Sequence, residues 1–101
     1  MTTESIISSP IFNSVEELVE FLKEQGHEET VFFEHPSFVK AITGITDSEQ
    51  LIYDYEMMIA AAMEEENWEY EEAIDWIEYN TLRSIPYMGS THPIVSLPIN
   101  W

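Results

Sequence analysis

Twenty carboxylates stand against three basic side chains, Lys23, Lys40 and Arg83, giving this 101-residue chain a formal charge of −17. Such self-repulsion destabilises any compact state, so the chain folds only if enough apolar surface is buried to offset it. The means are present: 45% of residues are hydrophobic and 13% aromatic, whereas disordered acidic chains are poor in aromatics. Residues 1–50 sum to −8 and residues 51–101 to −9, so the charge belongs to the whole chain and not to an acidic tail. A single domain of two packed layers over 1–101 is expected, with residues 1–12 as an extended arm.

The charge balance also restricts partners. Phosphate binding needs clustered Lys and Arg, and three scattered bases do not supply it, so direct nucleic-acid binding is not expected. An anionic membrane surface would repel the chain in the same way. No cysteine is present, which removes disulfides and thiolate metal sites. The segment MTTESIISSPIF has neither the basic nor the apolar region of a secretory signal. A soluble protein of the cytoplasm is expected.

Local signals define the elements. Ser14, followed by Glu17 three positions on, forms a capping-box pattern. Val15, Leu18, Val19 and Leu22 follow helical spacing, and Gly26 is placed to end the helix. TVFF (Thr30 to Phe33) reads as a short strand ending before Pro36. FVKAITGIT and LIYDY read as a hairpin with Asp47 starting its turn. Asp54 is an N-cap for a helix from Tyr55, with Met58, Ile59, Ala62 and Met63 facing inward. A link at Asn67 or Trp68 leads to another helix, about Glu69 to Asn80, with Ala73, Trp76, Ile77 and Asn80 on one face. Pro86, Gly89 and Pro93 break the helical pattern, and IVSL is the last strand before Trp101. The fold class is therefore α+β: an N-terminal helix, a small antiparallel sheet of three or four strands and two further helices. The residues after Arg83 carry no formal charge, and buried or partner-covered segments are expected there.

Several of these residues form a recurring pattern. Tyr53–Asp54–Tyr55 precedes one helix and Glu71–Glu72–Ala73 begins the next. Tyr79, Asn80, Thr81, Arg83, Pro86 and Tyr87 follow, then Gly89, Pro93 and Ile94. The second half of the chain thereby resembles a family of small acidic proteins of bacteriophage and prophage genomes. The resemblance implies a phage setting and transfers no catalytic residue.

Arg83 follows a helix whose C-terminal dipole favours a cation. A structural role is expected for it, in a bidentate pair with Asp54 or Asp75, with Asn80 capping the helix end and Pro86 holding the next turn. Glu71, Asp75 and Glu78 stand at i, i+4 and i+7, near enough to share a cation. Yet His27, His35 and His92 lie at no ligand spacing to them, and no nucleophile motif is near. Neither an enzyme nor a metal or other cofactor is expected.

The stretch from Glu64 to Glu78 holds eight carboxylates in fifteen positions without one Lys or Arg. A solvated helix normally mixes signs, because like charges at i, i+4 cost ~0.2–0.5 kcal/mol. Solubility of a small domain asks for a net charge of only about 2 to 8. The pattern fits a presented anionic surface, formed by Glu64, Glu65, Glu66, Glu69, Glu71, Glu72, Asp75 and Glu78. Trp68 and Tyr70 would be its aromatic anchors, and Trp76 is assigned to the core. The expected partner is a basic nucleic-acid-binding host protein, such as a defence nuclease, occluded in the manner of DNA-mimicking anti-CRISPR or anti-restriction proteins. The alternative is a phage accessory or assembly protein, a homodimer through the uncharged C-terminal segment, whose acidity serves solubility alone.

Overall fold

Ser14 has extended backbone and its hydroxyl accepts the Glu17 N–H at 3.2 Å, which starts helix α1 (Val15–Glu24). In return Glu17 accepts the N–H of Asn13, one residue upstream of the cap, at 3.0 Å. The helix ends in a Schellman turn: Gly26 has φ +76°, and His27 N–H reaches Leu22 O at 2.7 Å. Gly26→Ala is expected to destabilise the protein by about 1 kcal/mol in urea unfolding, because a Cβ opposes the left-handed backbone. Leu18 and Leu22 are buried, and Phe21 packs on Phe12 with centroids 5.4 Å apart.

This computed structural model describes residues 10–99. Most of the expected arm at residues 1–12 and the terminal Trp101 lie outside them. The chain continues through a 3-10 helix (Pro36–Ala41), β1 (Ile42–Ile45), β2 (Leu51–Asp54), α2 (Tyr55–Glu66) and α3 (Tyr70–Trp76). A π turn (Ile77–Thr81), a second 3-10 helix (Leu82–Tyr87) and β3 (Ile94–Ser96) complete it. Among the described residues the sheet has the order β1-β2-β3.

The architecture is α+β, with two corrections to its sheet. First, β2 pairs antiparallel with β1 but parallel with β3, so the sheet is mixed. The helices between β2 and β3 form the long crossover that a parallel pair requires. Second, Thr30 to Phe33 is not a strand. Three of its donors reach distant partners one at a time: Thr30 Oγ1 donates to Glu49 O, Val31 N–H to Thr91 O, and Phe33 N–H to the Tyr53 hydroxyl. With its donors so engaged, the segment has no need of a ladder.

The hairpin forms, but later and tighter than its β-prone sequence suggests. Phe38 to Ala41 belongs to the first 3-10 helix, which Pro36 opens. Thr46, not Asp47, starts the turn: its carbonyl accepts Glu49 N–H, and its hydroxyl accepts the N–H groups of Ser48 and Gln50. Tyr53 on the central strand is fully buried, its ring 4.6 Å from that of Phe33. Burial pushes its phenol pKa up to about 12, against a smaller lowering by the Phe33 N–H.

Asp54 caps α2 by accepting Met57 N–H at 2.9 Å. Met58, Ile59 and Ala62 are buried, with Met63 at the margin of the core. Asn67, in the left-handed conformation, ends the helix. The expected helix from Glu69 to Asn80 is α-helical only to Trp76 and then widens. Pro86 does not break the path but lies inside the second 3-10 helix. Beyond Arg83, Pro93 is buried, while Tyr87, Leu97 and Ile99 are exposed, so of the expected buried or partner-covered segments the fold itself buries only part.

Candidate partner-binding surface

The fold divides the eight carboxylates between Glu64 and Glu78 into two groups. Five sit where the fold uses or favours them. Glu72 accepts the N–H of Glu69 at 2.9 Å, which closes the first turn of α3. Glu66 meets His35 Nε2 at 3.0 Å. Glu78 accepts the Tyr55 hydroxyl at 3.0 Å, and Glu69 is the N-cap residue of α3. Glu71 lies in the first turn of α3, where the helix dipole favours a carboxylate.

Glu64, Glu65 and Asp75 are different. Glu64 and Glu65 are exposed in the last turn of α2, which holds no basic residue. There the negative end of the helix dipole opposes them. Asp75 is exposed one turn after Glu71, at the repulsive i, i+4 spacing. These carboxylates raise the energy of the fold that displays them.

Lys40 shares a surface recess with Glu65 and Arg83 shares one with Asp75, but neither comes within ion-pair distance of these carboxylates. Among the described residues the close contacts between a basic and an acidic side chain are His27–Glu49 at 3.5 Å and His35–Glu66 at 3.0 Å, neither of which uses Lys or Arg. Arg83 forms no pair with Asp54 or Asp75, which corrects the expected bidentate pairing. Its guanidinium lies over the exposed ring of Tyr79, 4.8 Å from the centroid. The π turn and the 3-10 helix abandon the 3.6-residue period, and residue 83 comes out at the surface. Asn80 does serve the backbone, donating from Nδ2 to Trp76 O at 3.2 Å, but within the helical path and not at its end.

The aromatic anchors also separate. Tyr70 is 45% exposed. Trp68 is half-buried and tilted against Trp76 at 5.7 Å, so Tyr70 is the aromatic more open to a partner. Trp76 is half-buried as well, packed on the core through Phe38 and His35.

His35 is the residue that sequence reading missed. Its extended backbone before Pro36 makes it the cap of the first 3-10 helix. Nδ1 lies 2.9 Å from Ser37 Oγ and accepts Ser37 N–H at 3.4 Å, while Nε2 meets Glu66. The ring stacks on Phe38 at 4.8 Å. A serine, a histidine and a carboxylate thus stand in line. Because Nδ1 already caps the backbone of Ser37, the arrangement reads as a clamp tying the first 3-10 helix to the end of α2. His35→Ala should cost about 2 kcal/mol in urea unfolding, and Glu66→Gln markedly less, since Glu66 is far more exposed.

His35 and Trp76 also line a groove of about 490 Å³, closed on one side by the π turn. Among the described residues no three acidic or histidine side chains converge as metal ligands. No described helix is long and apolar enough to cross a membrane. Comparisons with protein-family models, curated proteins and solved structures found no match to this chain.

Proposed function

We propose that this protein is an anionic decoy that binds and occludes a basic nucleic-acid-binding protein. The observation that carries this reading is the placement of Glu64 and Glu65. They are displayed at the end of α2 where the helix dipole opposes them, next in the chain to the acids of α3, with no Lys or Arg in the stretch. A solvated face needs no such cost, whereas a cleft built for phosphates rewards it through long-range attraction. The phage setting that the sequence pattern implies would make the partner a bacterial host protein, and a defence nuclease fits that setting. Action is by stoichiometric occlusion, without turnover.

A nucleic-acid-binding protein recovered from host lysate on this protein should release duplex DNA as the decoy is added, with an end point near one decoy per site. A partner that keeps its DNA at excess decoy contradicts the reading.

The second reading, a homodimer, is favoured by Leu97 and Ile99, which are 52% and 106% exposed beyond the open edge of β3. It predicts a dimer in sedimentation at high salt that Leu97→Asp dissociates. A monomer under those conditions removes it.

A further inference from the structure

The groove beside the acidic surface has features that the anionic stretch alone does not explain. Phe32, Trp76 and Met88 supply apolar and π surface, and Glu34 supplies an exposed carboxylate. No Lys or Arg lines it. Its volume, about 490 Å³, lies in the range of sites that enclose a side chain or small ligand. Asn80 uses Nδ2 on Trp76 O, which leaves Oδ1 as the acceptor end of its amide. The π turn that carries Asn80 and Thr81 into the wall is a local departure of the kind frequent at functional sites.

An aromatic surface with a carboxylate beside it suits a planar cation. A guanidinium can lie against Trp76 and donate two parallel hydrogen bonds to Glu34. An ammonium group lacks the planar fork for both contacts at once. The overall charge of −17 favours a cationic occupant over a neutral or anionic one.

We propose that this groove receives one arginine side chain of the basic partner, fixing register on a surface that otherwise attracts without orientation. The inference rests on the decoy reading for its partner, but the pocket can be tested without that partner. A short neutral-flanked peptide with a single arginine is titrated against the protein while the tryptophan indole N–H resonances are followed by NMR. Lysine and citrulline peptides serve as comparisons. The arginine peptide should shift the Trp76 indole, with lysine weaker and citrulline silent. Glu34→Gln should weaken arginine binding by about tenfold. Glu64→Gln with Glu65→Gln should change it much less.

Equal shifts from citrulline would overturn the proposal, since the groove would then be only apolar. Binding that survives Glu34→Gln but is lost with Glu64→Gln and Glu65→Gln would also overturn it, while leaving the decoy reading intact. If the arginine peptide binds as described and no nucleic-acid-binding partner is captured, the pocket stands and the decoy reading falls.

Discussion

Replacing Glu64, Glu65 and Asp75 by Gln, Gln and Asn makes the protein more stable and a worse binder. The stability gain should be about 1–2 kcal/mol. It combines relief of two charges from the negative end of α2 at ~0.3–1 kcal/mol each with removal of like-charge spacing at ~0.2–0.5 kcal/mol per pair. None of the three residues is engaged in the cap of α3, the Tyr55 hydrogen bond or the His35 clamp. Glu72 is avoided because it holds the Glu69 N–H, and its loss would confuse folding with binding. Paired urea-unfolding and affinity measurements read both effects. Opposite signs for stability and affinity mark residues kept for a partner. Unchanged affinity in the triple variant would reduce these carboxylates to a solubility device.

The second large effect is on the alkaline side. Tyr53 is wholly buried and holds its phenolic proton to about 12, while the unfolded chain releases it near 10. Tyr55 is raised further by burial first, then by its hydrogen bond to Glu78 and the charge of that carboxylate. For a raised pKa the stabilising contribution is complete below pH 10 and is lost as pH climbs through the folded value. Each tyrosine therefore removes about 1.4 kcal/mol per pH unit once the unfolded state ionises. Stability should be flat near neutrality and fall steeply above pH 10. Tyr53→Phe should flatten that fall by one proton. It should also cost about 1–3 kcal/mol at neutral pH, because the buried Phe33 N–H loses its acceptor. A Tyr53→Phe protein with an unchanged alkaline slope would show that Tyr53 ionises freely in the fold.

Salt should act in the direction opposite to its usual effect on ion-paired proteins. The fold gains little from Lys or Arg pairs and is strained by repulsion, so screening at about 0.1–1 M salt should raise its melting temperature. The same screening should weaken binding.

The legible parts of this chain were those whose chemistry is local. Ser14 with Glu17, Gly26 and Asp54 do what their positions promised, because a cap depends on residues within one turn. The hairpin was legible from its two β-prone runs, though Thr46 could not be told from Asp47 until the hydroxyl was seen to take two N–H groups. What stayed hidden depended on distant partners. Thr30 to Phe33 has strand composition but gives Phe33 N–H to a tyrosine twenty positions away. β3 looked like any short strand, and only the helical crossover made its pairing parallel. His35 looked isolated among the histidines because Glu66, its partner, is brought to it by the packing of α2 on the first 3-10 helix. The acidic stretch was visible as charge. Its division into carboxylates that hold the fold and carboxylates that burden it was not.

That division makes one measurement decisive. Affinity of the protein for a captured basic partner is followed from low salt to about 1 M, where the screening length falls to ~3 Å, alongside the Glu64→Gln, Glu65→Gln, Asp75→Asn variant. The decoy account predicts a steep loss of wild-type affinity with salt and a weaker, shallower dependence for the variant. Equal affinities and equal slopes for the two proteins would contradict it.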